Sequence, residues 1–244
     1  MEPTSNALVN EMIDAYGGMA KWNSLKNADI HAIQLGATFA IKGVAGVLND
    51  FHYEIDLHAQ RGTIRDFMKP GQRATFRPDR VAIETADGSI VEELLDPRNS
   101  LLHETLETKW STLQLVYFAS MATWTYLTTP FCFAMPGFAF EDLYPITEHG
   151  ETWRVVKVTF PDGFARHSDE QIYYVGDDGL IRRHNYVAEA VTRDATGTHH
   201  YHDFKRYDDI AVSTRQRIYP LGPDGARVPE PILVAQDIEG VVFS

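Results

Sequence analysis

Ten histidines are spread through this chain, and the late ones stand beside tyrosine and arginine at strand-like spacing. In "RHSDEQIYYVGDDGLIRRHNYVAE", His184, Tyr186 and Arg182 fall on one side of an extended segment, with Arg183 and Asn185 on the other. His167 precedes the facing segment, along which Gln171 and Tyr173 share a side. Across a tight hairpin these side chains become neighbours. An imidazole titrates near pH ~6.5 and a phenol donates or accepts a proton from a fixed place, so the pair suits acid–base catalysis. In that scheme His184 or His202 is the general base and Tyr186 or His167 the acid, while Arg183 steadies developing negative charge. The plainer alternative is a half-exposed ladder of hydrogen-bonded polar side chains.

A second cluster is "GTHHYHDF". In a strand, His200 and His202 point one way, and His199, Tyr201 and Asp203 the other. Two histidines at i, i+2 can hold a metal if a third ligand arrives from another strand, and His184 and His167 are the candidates for it. No HExxH, CxxC or paired-aspartate motif accompanies them, so neither a metal nor a cofactor is expected. Neutral imidazoles that bind a polar ligand group or move its proton are the stronger reading. In "DFHYEIDLH", His52, Glu54, Asp56 and His58 share a face opposite Phe51, Tyr53, Ile55 and Leu57. That pattern reads as a solvated outer face over an apolar inner one. The glycines of "YGGMAKWNSLK" follow a helix rather than a strand, which excludes a phosphate loop. Ser168 lacks the strand–turn–helix setting of a nucleophile elbow.

These groups need a frame, and the frame must also explain a long greasy run. Trp110 to Phe140 contains no charged residue in a chain of net charge -12. A spanning helix needs about 20 apolar residues, but Pro130 and Pro136 limit an unbroken helix to Trp110–Leu127. The next charges, Glu141 and Asp142, are acidic, so no basic flank anchors it and no transmembrane segment is expected. Trp110, Tyr117, Met121 and Trp124 form a helical stripe, which reads as core or as a ligand wall. Gln114 is the polar exception: a buried amide must find partners, and one facing a hollow could orient a ligand.

Around this run the apolar period is mostly two. An N-terminal helix capped by Ser5 or Asn6 stops at Gly17-Gly18. Short strands follow on both sides of the greasy helix, about ten or eleven in all, with hairpin turns at Asp87-Gly88 and Asp177-Asp178-Gly179. No βαβ alternation, linker or fixed repeat appears. The expected fold is therefore one mainly β (α+β) domain over residues 1–244, a strongly curved antiparallel sheet wrapped round an apolar helix. The balance of 22 basic against 34 acidic residues argues against nucleic acid or anionic membrane as partner. The lone Cys132 permits no intrachain disulfide and reads as a structural thiol. "MEPTSNALVNEMIDAYGG" has no basic n-region and no unbroken apolar h-region, so a cytoplasmic protein is expected. A homodimer stays open.

The capped helix ending in "AYGGMAKWNSLKNA", the strands, the inner helix and the late hairpin "YYVGDDGLIRRHNYV" resemble, in their order, the outer-membrane lipoprotein carrier (LolA-like) superfamily. The resemblance implies an unclosed β-barrel with helices in its hollow. It also implies either carriage of lipid or the cofactor-free chemistry of a cytosolic VioE-like branch. The histidine and tyrosine content favours the second. The leading expectation is thus a cofactor-independent lyase, hydratase, cyclase or isomerase acting on a hydrophobic, aromatic or polyketide-like molecule. Tyr117, Trp124 and Tyr173 would hold its apolar body, and Gln114 and His200 its polar groups. The alternatives are a non-catalytic carrier of an apolar ligand and, further back, a metal-dependent hydrolase. Elemental analysis of purified protein should find no stoichiometric Zn, Fe, Cu or Mn; one tightly held metal per chain would favour the hydrolase.

Overall fold

The computed structural model describes residues 4–102 and 105–244. α1 (Ala7–Tyr16) begins where the Asn6 side chain accepts the Val9 N–H at 3.0 Å and ends at Gly17, whose φ is +133°. A side chain there would be strained, and its Cβ would lie 2.8 Å from the Asp209 carbonyl oxygen. The Leu8, Val9, Met12, Ile13 and Tyr16 face is buried. α2 (Met19–Ser24) follows, and its Trp22 stacks on Phe131 with ring centroids 4.2 Å apart.

The rest is built on one antiparallel sheet of thirteen strands among the described residues. The first block is β1 (Asn27–Leu35), β2 (Phe51–Asp56), β3 (Gly62–Ile64), β4 (Gln72–Arg77), β5 (Arg80–Thr85) and β6 (Ile90–Leu95). The second is β7 (Ala139–Glu148), β8 (Glu151–Thr159), β9 (Glu170–Val175), β10 (Ile181–Val187), β11 (Thr196–Tyr207), β12 (Ile210–Pro220) and β13 (Val234–Phe243). The spatial order runs from β6 back to β1, then β13 back to β7. The last strand thus joins the two blocks by pairing with the first. β6 and β7 are not paired to each other, so the curved sheet is an open half-barrel.

Two elements depart from the sequence expectation. β7 follows the stretch that Pro130 and Pro136 interrupt, which by sequence reads as a loop after the helix. It is an edge strand, and Pro145 falls in the register shift between Leu143 and Ile146, where a missing N–H costs no ladder bond. This strand helps raise the count above ten or eleven. α3 (Ala37–Ile41) is a short helix after β1, entered through Gly36 at φ +140°, whose added Cβ would meet the Leu233 carbonyl oxygen at 2.3 Å.

The greasy run becomes α4 (Thr112–Thr128). Ser111 and Gln114 form a capping box: Gln114 N–H donates to Ser111 Oγ at 3.2 Å, and Ser111 N–H to Gln114 Oε1 at 2.8 Å. Every residue from Leu115 to Phe133 is buried. Two hydroxyls inside this stretch bond back along the helix, Thr125 to the Met121 carbonyl and Thr128 to that of Trp124, both at 2.9 Å. Trp124 donates from Nε1 to the Asp56 carbonyl at 2.7 Å, tying the helix to the end of β2. No helix among the described residues is long and apolar enough to cross a membrane. As the alternation of β2 requires, Phe51, Tyr53 and Ile55 face inward while His52 and Glu54 are exposed. Burial pushes the Cys132 thiol up to about 11, which makes it an inert part of the core.

Each large side chain enclosed with α4 contributes roughly 1.5–3 kcal/mol, against about 1 kcal/mol for a helix cap. Ser111→Ala should therefore cost about 1 kcal/mol and Trp124→Ala about 3–5 kcal/mol in urea unfolding. A Trp124→Ala loss no larger than that of Ser111→Ala would contradict a helix enclosed on all sides.

Candidate functional site

Strand pairing decides which side chains meet in the hollow. His184 on β10 lies opposite Tyr173 on β9 and His199 on β11, and Tyr186 lies opposite Gly197. Tyr201 follows His199 on the same face. α4 adds Tyr126 from above, and the loop before β9 adds His167. The rings interleave: His184 stacks between Tyr173 and Tyr186 at 4.5 Å from each, and His167 stacks on Tyr186 at 4.3 Å. His199 stacks on Tyr201 at 4.1 Å and meets Tyr126 edge-on at 4.3 Å.

The protons of one half of this cluster can be placed. Gln171 Nε2 donates to the Ser168 carbonyl at 3.2 Å, so its Oε1 is the acceptor facing inward. That oxygen takes the Tyr173 hydroxyl at 3.2 Å and His184 Nε2–H at 2.8 Å. His184 Nδ1 is then a bare acceptor and receives the Tyr201 hydroxyl at 3.1 Å. This half is closed. The other half is open: the Tyr126 hydroxyl lies 2.8 Å from His167 Nε2 and 3.0 Å from the Tyr186 hydroxyl, while His167 Nδ1 has no partner. Neither nitrogen of His199 has a partner in hydrogen-bond geometry, although the Gln216 amide lies beside it.

A polar stripe continues across the floor of the cup. Gln34 on β1, Gln236 on β13 and Gln216 on β12 are cross-strand neighbours. Thr123 of α4 joins them, accepting from Gln34 Nε2 at 3.0 Å and donating to Gln236 Oε1 at 3.1 Å. Gln34 also donates to Gln236 Oε1. All four side chains are buried.

Burial without a counter-charge keeps these groups neutral. It holds His167 down at about 3, with the Arg98 cation adding to the effect, and depresses His184 and His199 well below the usual imidazole range. It lifts Tyr186 to about 12 and Tyr126, Tyr173 and Tyr201 well above the ordinary phenol. Neutral donors and acceptors sealed beneath a helix orient one another; they do not exchange protons with solvent.

Of the residues singled out in the sequence, the structure brings together His184, Tyr186, His167 and Tyr173. Gln171 joins them through its Oε1, but Arg183, His200, His202, Gln114, Tyr117 and Trp124 do not. Arg183 lies on the outer face, 4.0 Å over the Tyr174 ring and paired with Glu148 at 2.6 Å. His200 and His202 share that outer face, since His200 is registered against Arg183. Their places inside are taken by His199 and Tyr201. Gln114 is engaged in the capping box and donates to the Ser100 carbonyl at 3.0 Å. Tyr117 packs on Phe76, and Trp124 on Phe164. Among the described residues no three His, Cys, Asp or Glu side chains converge as metal ligands. Sequence reasoning missed Tyr126, whose one signal was a hydroxyl in an apolar helix, and the glutamines of the stripe.

Next to the cluster lies a cavity of about 280 Å³, close to the lower end of the ~300–1,000 Å³ typical of ligand sites. Ile41, Phe118, Tyr186, Val191, Ile218 and Val234 give its apolar character, and Asp194 is the one charged residue among the described lining. Phe118 and Tyr186 separate it from His167, contacting that ring at 5.6 and 4.3 Å. Lys42, buried at the end of α3, holds the rim together by donating to the Val191 and Thr105 carbonyls at 2.8 and 2.7 Å. A larger hollow of about 700 Å³ is an open groove at β1–β5. Its charges are already paired, Arg61 with Asp56, Arg80 with Glu84, Asp29 and Glu54 with Arg65, and Arg77 with Asp79. The smaller, apolar cavity is therefore the candidate ligand site.

This architecture, an open antiparallel half-barrel plugged by a helix, is LolA-like. It matches a LolA superfamily protein from Nitrosomonas europaea with a TM-score of 0.53 and 8% identity, over 98% of this chain and 93% of that one. A DUF1329 family protein from Desulfovibrio piger matches with 0.53 and 10%, over 97% and 92%. A domain from Vibrio parahaemolyticus assigned to outer membrane lipoprotein sorting matches with 0.52 and 9%, over 97% and 90%. At such identities the likeness is one of fold. No protein-family profile and no curated protein matches the sequence.

The depressed imidazoles make stability depend on pH. In the unfolded chain a histidine takes its proton near pH ~6.5; in the fold His167 does so only near about 3. The unfolded state therefore binds more protons between these limits, and stability falls as pH drops from 6.5 towards 3. Each such histidine costs about 2 kcal/mol by pH 5. His199→Phe removes one of them, and neither His199 nitrogen has a partner in hydrogen-bond geometry to lose, so the loss between pH 7 and pH 5 in urea unfolding should shrink by about 2 kcal/mol. An unchanged loss would mean that His199 is charged in the fold.

Proposed function

We propose that this protein binds and carries a small apolar molecule in the cavity between α3, α4 and β10–β13. The observation that supports this reading is the separation of a mostly apolar space from the buried imidazoles. No histidine is among the described residues lining the cavity; Phe118 and Tyr186 stand between it and His167, and Tyr186 also stacks on His184. An acid–base enzyme needs its imidazoles in reach of substrate, and here the imidazole with its protons assigned is saturated by Gln171 and Tyr201. The LolA-like fold supports the same reading, since one match is assigned to lipoprotein sorting. Methylene burial at ~0.8 kcal/mol each gives ten methylenes about 8 kcal/mol, an upper limit near micromolar affinity before the costs of association.

Gly197 lines the cavity, and its backbone is ordinary extended strand. A Cβ added there would meet Ile218 Cγ2 at 3.5 Å and Tyr186 Cζ at 3.6 Å, which is normal contact. Gly197→Leu should therefore fill the cavity without straining the chain. The neutral fluorophore N-phenyl-1-naphthylamine should bind the wild type and bind Gly197→Leu at least ~10-fold more weakly, with the two proteins melting within a few degrees of each other. Equal binding by both would remove the cavity from the proposal, and catalytic turnover of a bound compound would replace carriage with the enzymatic reading.

A further inference from the structure

The open half of the tyrosine–histidine cluster has one proton more than its own hydrogen bonds use. His167, Tyr126 and Tyr186, all neutral, carry one imidazole proton and two hydroxyl protons. Two contacts join them, His167 Nε2 to the Tyr126 hydroxyl at 2.8 Å and that hydroxyl to Tyr186 at 3.0 Å. One proton is left over, and the direction of the chain decides where it lies.

If the chain ran from Tyr186 towards His167, the spare proton would sit on His167 Nδ1. That atom is buried and has no partner. An orphaned N–H in the interior is the costlier defect, whereas a bare ring nitrogen loses only an acceptor's hydration. If the Tyr126 oxygen accepted from both neighbours, its own buried hydroxyl proton, which has no further partner, would be the orphan. A chain running from His167 avoids both defects. His167 Nε2–H donates to Tyr126, Tyr126 donates to Tyr186, and the spare proton is the hydroxyl proton of Tyr186. Tyr186 is also the residue shared by the cluster and the cavity wall. His184 offers a contrast, because its Nε2–H goes to Gln171 and its Nδ1 takes the Tyr201 hydroxyl proton, so this imidazole has no nitrogen left open.

We propose that Tyr186 presents a directed hydroxyl proton to the cavity, oriented by the His167–Tyr126 relay, and that the ligand is a neutral apolar molecule with a carbonyl oxygen, an ester or ketone, that accepts it. This deepens the carrier reading and rests on it. A carboxylate ligand fits poorly: no Lys or Arg is among the described lining residues, and Asp194 is. A ligand that offers only protons, such as an ammonium ion, fits less well, since the group it would meet is itself a donor. In this scheme Tyr186 is the binding residue and His167 a positioning residue that acts through Tyr126.

The test compares 2-undecanone with undecane by displacement of N-phenyl-1-naphthylamine, and reads the infrared stretch of 2-undecanone labelled with ¹³C at its carbonyl. Tyr186→Phe keeps the ring and removes the hydroxyl. It should weaken ketone binding about 5- to 10-fold, leave undecane unchanged, and move the carbonyl band to higher frequency. His167→Gln, which can still donate to Tyr126, should keep the wild-type band, and His167→Leu should lose it; thermal melts confirm that each variant is folded. If Tyr186→Phe changes neither the ketone affinity nor the band, the donor assignment is wrong while carriage stands. If the wild type binds neither compound nor the fluorophore, the carrier reading falls and takes this proposal with it.

Discussion

The structure depends on enclosing an apolar helix inside a sheet that does not close. α4 has no polar side to give to solvent, and every residue from Leu115 through the following turn to Phe133 is buried. A helix of this kind must be covered all round. The two strand blocks do so by curling over it, and β13 joins them by pairing with β1. The helix also fixes the local chemistry at its ends: Ser111 and Gln114 satisfy the first turn, and Trp124 anchors the far half to β2. Its polar residues then have to find partners within the hollow, which is why Thr123 meets the glutamines and Tyr126 meets His167 and Tyr186.

A second consequence follows from the same enclosure. Polar groups in a dry interior interact strongly with one another and are costly when left alone. Most of the inner tyrosine, histidine and glutamine side chains are accordingly linked in short chains with definite proton directions. Burial suppresses their ionisation, so they act as fixed dipoles. Within the cluster His167 Nδ1 and both nitrogens of His199 are left without partners, on two rings that each meet Tyr126; outside it Gln34 Oε1 and the Tyr117 and Ser120 hydroxyls are left likewise.

Where α3, the Lys42-held rim and the ends of β10–β13 meet, the apolar cavity remains. Tyr186 belongs to both the sealed cluster and this space. The fold therefore sets a largely apolar cavity wall against a buried polar network, with Tyr186 common to both.

Local pattern was enough for much of this. Period-two alternation, the Asp-Gly turns, the Asn6 cap and the charge-free helix specify a curved antiparallel sheet around a plug, because each is a property of neighbouring residues. The same alternation places His184 with Tyr186, and Gln171 with Tyr173. It could not say that His199 and Tyr201 face inward rather than His200 and His202, because from Gly197 to Tyr201 both faces of β11 are buried and the apolar-in, polar-out contrast is lost. Nor could it choose Tyr126 over Tyr117, since a helix apolar on every side carries no signal of its rotation. Gln34 and Gln236 meet across 202 residues of chain. Contacts at that separation exist only once the last strand has paired with the first, and that pairing is decided by tertiary packing around α4.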